Sequence, residues 1–310
     1  MPSDKASVAE KEQIRPTVVA GETIRLRGQS RGLSRSIRRF LHYKPGVAAL
    51  AFILLLSAIA LFADVIAPYP PAKQYLDTPG KGPSIKHPLG VDHLGRDVLS
   101  RVIYGTRVAL LVGLLATGIA VTVGVAIGLV AGYFGGWMDS LLSRLTDAIM
   151  AFPLLALLLA LAVLVGPGLV TTVVIIGLTI WAPYARVARA EVLSLREREF
   201  VLAARALGAS SIRIILRHLL PNIVSPIIVL ATLGIGSVII FESALSFLGL
   251  GVQPPTPAWG SMLSDSRAYL RYYPHLAIAP GVMIALTVMA FNLLGDGLRD
   301  MLDPRMGNER

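Results

Sequence analysis

The sequence predicts an all-α, polytopic membrane protein with six transmembrane helices, and three observations predict it. Of 310 residues, 54% are hydrophobic and 15% charged, too little charge for the surface of a soluble protein of this length. The apolar residues fall in long uninterrupted runs, each able to cross a bilayer core about 30 Å thick, which takes roughly 20 residues of helix. The basic residues behind the formal charge of +10 cluster beside those runs. That placement is a topology signal and argues against a nucleic-acid-binding face. Cysteine is absent, which excludes disulfides and thiolate metal sites.

Taken in order, residues 1–44 form a Ser-, Arg- and Lys-rich tail with little to bury. It is expected to be largely disordered, either as a solvated basic tail that fixes topology or with Ser34–Lys44 lying on anionic lipid. The first span is placed at 45–67, where Val47–Ala63 carries no charge and Asp64 follows. It begins only after 44 polar residues, unlike a cleaved signal peptide, whose basic region is short. Residues 68–107 are polar and rich in proline and are read as an ordered loop. Val108–Met138 is the second span. The uncharged run Ala148–Ala185 is 38 residues long, too long for one helix. Gly166-Pro167-Gly168 breaks it into two short spans, Ala148–Val165 and Leu169–Ala185. Leu219–Phe241, continuing to about Leu250, is the fifth span, and Leu276–Gly295 is the sixth. Between them, 251–275 is a second ordered loop with Pro254, Pro255, Pro257 and Trp259. Tyr269, Tyr272 and Tyr273 at its end suit an interfacial belt. Residues 299–310 form a short tail.

Six spans put both termini on one side. With the loops on that side they carry 21 of the 29 Lys and Arg, against 8 on the other. The positive-inside rule therefore puts both termini and the segment 186–221 in the cytoplasm.

Within that segment, Glu199–Pro221 reads EFVLAARALGASSIRIILRHLLP. The pattern predicts two short helices, Glu197–Leu207 and Ser210–Leu220. Gly208 stands at the join, where glycine ends a helix at little steric cost, and Ser210 or Ser211 caps the second helix. Ala203, Ala204 and Ala206 leave a face with little side chain, so another surface could approach the backbone closely. Arg205, Arg213 and Arg217 offer charge to a partner, and Pro221 marks the start of the fifth span. By spacing alone, a solvated connector and a docking device fit equally well.

The segment resembles the coupling loop of binding-protein-dependent ABC importer permeases, with its Glu-Ala-Ala, Gly and Ile-x-Leu-Pro pattern. Ala203 and Ala204 match the alanines, Gly208 the glycine, and Leu220-Pro221 the ending. Leu202 stands at the motif's glutamate and His218 at its isoleucine, so an acidic contact would have to come from Glu199 or be missing. GVDHLGRDVLSRVIYGTRVALLVG over Gly90–Gly113 and FESALSFLGLGVQPPTPAWG over Phe241–Gly260 resemble the dipeptide/oligopeptide branch, in its second (C-type) permease subunit. That branch also contains nickel permeases. The resemblance runs from about Tyr43 to the end. It implies a type I (MetI-like) importer permease core of five helices over 108–298, preceded by the extra first span. It implies pairing with a homologous second permease subunit, with the path between the two. It implies docking of two ATPase subunits on the cytoplasmic side, with ATPase coupling at Glu199, Ala203, Ala204, Arg205, Gly208, Leu220 and Pro221, and delivery of di- or oligopeptides, with nickel as the alternative cargo, by an extracytoplasmic binding protein.

The chain has no GxxxxGK[S/T] loop, and Gly80-Lys81 is followed by Gly82. ATP-Mg is therefore expected on the partner ATPases, with no cofactor on this chain and no catalysis by it. HExxH and GxSxG are absent too. An ion-coupled secondary transporter would need polar ion sites within spans and inverted repeats, whereas one acid and no internal repeat are visible.

That acid is Glu242, well inside an apolar stretch. An acid there is costly and is often functional. Three roles fit it: lining the translocation path, hydrogen bonding internally, or sitting at the outer interface. His87 and His93, six residues apart in a loop, suit solvated residues better than metal ligands. Pro153, Pro183, Pro226 and Pro280 fall in or at the ends of spans and suit kinks around a path or ordinary packing. Gly113, Gly118, Gly124, Gly128 and Gly132 give the second span a small-residue face for close helix contact, within the subunit or across a dimer.

Overall fold

The computed structural model describes residues 40–75 and 79–302. The expected disordered tail lies almost wholly outside these residues, as does the end of the C-terminal tail. Among the described residues the chain is helical, and its only β pairing is two isolated bridges, Gln74 with Arg96 and Val91 with Asp97. The helices are α1 (Lys44–Leu61), α2 (Ala63–Ile66), α3 (Val98–Phe134), α4 (Gly136–Ala151), α5 (Leu154–Val165), α6 (Leu169–Thr179), α7 (Ala182–Leu195), α8 (Glu199–Ala206), α9 (Ser211–Ile214), α10 (Leu220–Phe247), α11 (Trp259–Ser266) and α12 (His275–Leu302). Five stretches are long and apolar enough to cross a membrane: Lys44–Leu61, Val98–Phe134, Leu169–Leu195, Ser211–Phe247 and His275–Leu302. The pair α4–α5 makes a sixth if its 90° bend is counted as one broken span.

Each boundary that moved from its expected place has a local cause. The second span was expected at Val108, but helix starts at Val98, within the expected 68–107 loop. The Asp97 carboxylate caps it by accepting from the Ser100 N–H at 2.8 Å, and the charges of this extra length are paired. Arg101 faces Asp92 at 3.6 Å and Arg107 faces Asp64 at 3.0 Å. At 37 residues, α3 is roughly 55 Å long, so it projects well beyond an apolar core. It stops at Gly135, whose φ of +67° ends a helix without penalty. The expected third span, Ala148–Val165, is instead divided at Phe152-Pro153, because Pro153 has no N–H to continue the ladder. Residues 136–151 before it form the amphipathic helix α4. The Gly166-Pro167-Gly168 turn separates α5 from α6 as expected. The fourth span passes the expected end at Ala185 and continues to Leu195, because Arg186 and Arg189 find Asp147 and Asp139 on α4, at 2.7 Å for Arg186.

The glycine face of α3 is used within this chain. A Cβ on Gly124, Gly128 or Gly132 would lie 2.5–2.8 Å from Trp181, which precedes α7, or from Ala185 or Val192 within it, so the two backbones pack at a distance only glycine permits. The central core joins α3, α5, α6, α7 and α10 around Val112, Leu158, Ile176, Trp181 and Leu245. At one end a second cluster joins α1, α3, α11 and α12 around Leu56, Leu110 and Trp259. At the other end a third cluster gathers around Val201.

The described parts of 68–97 and the segment 251–274 fold into one cap at the second cluster's end. Arg96 reaches Asp92 at 2.6 Å and Asp265 at 3.0 Å, bridging the two segments. Trp259 is fully buried and donates its indole N–H to the Val102 carbonyl at 3.1 Å. Tyr272 is exposed, as an interfacial belt requires. Tyr269 stacks on His93 with centroids 5.0 Å apart, and both Tyr269 and Tyr273 pack against the second cluster, so these two are inner wall residues of the cap.

Candidate functional site

The third cluster is where the chain builds a surface fit for a partner. Leaving α7, the chain turns through Arg196–Arg198 and forms α8. Arg196 fixes the turn by donating to the Gly132 carbonyl at 3.0 Å and to Glu197 at 3.0 Å. Glu199 lies in the first turn of α8, where a negative charge suits the helix dipole. Gly208, with φ +76°, reverses the chain. A Cβ there would meet nothing within 4 Å, so glycine is needed for its backbone angle alone. Ser210 caps α9 by accepting from the Arg213 N–H at 3.4 Å.

The second helix then departs from expectation. Ser211–Ile214 is α-helical, Ile215–Leu219 is a π turn, and α10 follows without a break. Pro221 has no N–H to offer one turn back, and the widened turn absorbs that loss. The pair expected to close before the fifth span is therefore a short helix, α8, followed by the base of one continuous long helix.

Burial separates the residues of this segment into two sets. Val201, Ile214, Leu219 and Ile223 are fully buried, together with Ala188 and Val192 of α7, and Val125 and Leu129 of α3 pack beside them with little exposure. Val201 thus ties α8 to the ends of three spans. Facing outward are Phe200, Leu202, Ala203, Arg205, Ala206, Leu207, Gly208, Ile212 and Leu216. Leu207 is 88% exposed and Ile212 70%, an unusual display of aliphatic surface. The Arg205 guanidinium stands 5.8 Å from the centre of the Tyr133 ring.

Of the residues singled out from the sequence, Glu199, Ala203, Arg205 and Gly208 are exposed together on α8 and its end, with Ala204 half-buried at its edge. Leu220 and Pro221 are elsewhere. They belong to the base of α10, with Leu220 packed against the third cluster. The two departures from the motif have visible surroundings: Leu202 is exposed, and the His218 ring lies 6.5 Å from that of Phe200. Sequence reasoning missed Phe200, Leu202, Leu207, Ile212 and Leu216 as surface residues. Their apolar side chains read as core until Val201, Ile214 and Leu219 are seen to occupy it.

Glu242 is enclosed, with 1% of its surface exposed. The Ser246 hydroxyl donates to its carboxylate at 2.7 Å, and Ser243 approaches at 3.4 Å. The same Ser246 oxygen accepts from the Val252 N–H at 3.2 Å, so the acid anchors the start of the 251–274 segment to the end of α10. His87 is hydrogen-bonded through Nδ1 to Asp97 at 2.8 Å. No group of three His, Cys, Asp or Glu among the described residues could hold a metal ion.

Comparison with known proteins agrees with this architecture. Residues 124–308 match the family of binding-protein-dependent transport system inner membrane components. Residues 33–83 match the N-terminal TM domain of oligopeptide transport permease C. The glutathione transport system permease protein GsiD of Shigella flexneri serotype 5b is 46% identical over 271 residues, covering 87% of this chain and 89% of that protein. GsiD of Escherichia coli O157:H7 is 45% identical over the same length. A chain of the MetNI methionine ABC transporter, solved in inward-facing conformations, superposes with a TM-score of 0.53 at 18% identity, covering 66% of this chain and 96% of that one. That likeness concerns the fold. The chain belongs to the family of binding-protein-dependent transport system inner membrane components, as a multi-pass, non-catalytic permease subunit of an ABC importer in the oligopeptide permease C branch.

Proposed function

We propose that this permease moves di- and oligopeptides, with glutathione-like tripeptides within its range, inward across a bacterial plasma membrane. Both termini and α8 lie on the cytoplasmic side, as the charge count indicates. A homologous permease subunit completes the path, an extracytoplasmic binding protein delivers the cargo, and two ATPase subunits holding ATP-Mg dock from the cytoplasm, one of them on α8. The observation that carries this reading is the construction of α8. Its outer face is apolar and basic with small residues between, while its inner face is locked through Val201 to α3, α7 and α10. A displacement imposed on the outer face is transmitted to three spans at once, because a packed core moves as a unit and does not deform locally.

In this mechanism ATP binding closes the ATPase pair and shifts α8, opening the path outward. Hydrolysis resets it inward. ATP does this only by binding the outward-open state more tightly than the inward-open one. The similarity to GsiD supports a peptide cargo. Pull-down with this chain should recover both ATPases, and deleting residues 201–211 should abolish the recovery. In proteoliposomes with the cognate binding protein, labelled glutathione or a dipeptide should enter, and nickel should not. Uptake that persists with hydrolysis-dead ATPases would overturn the reading.

A further inference from the structure

At the cap end, α1, α3 and α12 diverge and leave an open apolar groove of about 470 Å³, with Ile59, Val102, Ile103, Ile278, Val282 and Met283 among its walls. Each of these residues lies within or beside a candidate membrane span, and Ile278 is 60% exposed, so the groove opens toward the bilayer. In a membrane it is filled by whatever apolar group stands there.

The rim of the groove carries charge. Pro83 of the cap is one of its walls, and it belongs to the short stretch Lys81–Lys86. Both lysines are exposed, and no carboxylate among the described residues lies within ion-pair distance of either. Between them Ile85 is fully exposed, at 103%. Among the described acids of the cap, Asp92 and Asp97 are buried and Asp265 is half-exposed, and all three have partners. Asp92 and Asp265 pair with Arg96, and Asp97 with His87. A bare isoleucine between two lysines with no acidic partner among the described residues, over an apolar groove at the end of membrane helices, is the arrangement of a segment seated in the headgroup layer.

We propose that this groove binds an anionic phospholipid, with an acyl chain lying between α1, α3 and α12 and the phosphate beside Lys81 and Lys86. A zwitterionic lipid would fill the groove equally well but would gain less from the lysines. A neighbouring protein subunit would need an acidic face here and would exclude lipid. The proposal concerns this chain's lipid contacts and does not depend on the cargo.

The test uses the full transporter in nanodiscs of phosphatidylcholine with a minor fraction of phosphatidylglycerol. Retained lipid is counted by native mass spectrometry after mild detergent extraction. The wild type should retain phosphatidylglycerol over phosphatidylcholine by about tenfold relative to the input, given the usual attraction of a lysine at an anionic surface. The surface double variant Lys81→Glu/Lys86→Glu should lose that preference while still retaining lipid. Val282→Trp, which fills the groove, should lower retention of both lipids. A photo-crosslinking residue at Ile278 should label lipid. Equal retention of the two lipids by the wild type, a preference unchanged in the double variant, or a crosslink at Ile278 to another protein subunit would each overturn the proposal.

Discussion

Gly208 and Glu242 show how single residues set the behaviour of larger parts. Gly208 has room for a side chain and lacks only a tolerable backbone angle for one. Replacing it with valine should cost about 1–2 kcal/mol at that residue. The cost falls on the α8–α9 turn, because the buried residues on either side are untouched. The expected outcome is a permease that inserts and unfolds normally, with ATP hydrolysis no longer tied to uptake. Parallel assays of thermal stability, ATPase and uptake check it, and unchanged uptake would refute it. Glu242 makes a different case. Two hydroxyls and, through Ser246, a backbone N–H depend on its carboxyl. Glu242→Gln keeps an acceptor for Ser246 and should be mild. Glu242→Leu leaves buried hydroxyls unpaired and should cost about 1–3 kcal/mol, read as lower thermal stability of the detergent-solubilised complex. If Gln and Leu behave alike, the acid has no anchoring role.

Among elements, the pairing of α3 with α7 is the most extensive helix contact among the described residues. Three glycines a turn apart bring the helices together at α7 residues whose backbone lies within 3.0 Å of where a Cβ would be. Gly128→Leu should force the pair apart and destabilise the protein by 1–3 kcal/mol or more, whereas Gly118→Leu, which meets nothing within 4 Å, should be tolerated. Expression level and thermal unfolding of the two variants check the contrast. On the other side of α7, the arginines at 186 and 189 hold α4 against the bundle through Asp147 and Asp139. Both pairs are at least partly exposed, so each contributes modestly to stability, and their visible effect is to orient α4 at its bend. The sequence showed this element only as a short polar interval between two apolar runs. The length of α4 depends on partners carried by α7, some 40 residues further on.

For the whole molecule, the proposed orientation gives the two ends different tasks, a cap closed by buried ion pairs on one side and α8 with its exposed face on the other. The chain contains no cysteine, which makes this directly measurable. In intact cells, Ile85→Cys should react with an impermeant maleimide added outside, and Leu207→Cys should react only after the cells are opened and the docked ATPases removed. Reversed labelling would invert the topology and remove α8 as an ATPase contact. Both side chains are almost fully exposed, so neither substitution disturbs packing.

The sequence by itself determined the class of the protein, the approximate spans, the turn at Gly166–Gly168 and the break at Gly208. These follow from chain-local physics: the length of apolar runs against the bilayer, the missing N–H of proline and the permitted angles of glycine. It also marked the stretch around Ala203 and Gly208. Only the tertiary structure decided where the spans end, because Arg101, Arg107, Arg186 and Arg189 are tolerated in helix ends by acids that lie elsewhere in the chain. It alone decided that Gly124, Gly128 and Gly132 of α3 face α7, that Glu242 is enclosed, and that Leu202 and Leu207 face outward while Val201 faces in. Periodicity names the faces of a helix, but which face is buried depends on what packs against it, and the elements packed on α8 come from three separate regions of the chain.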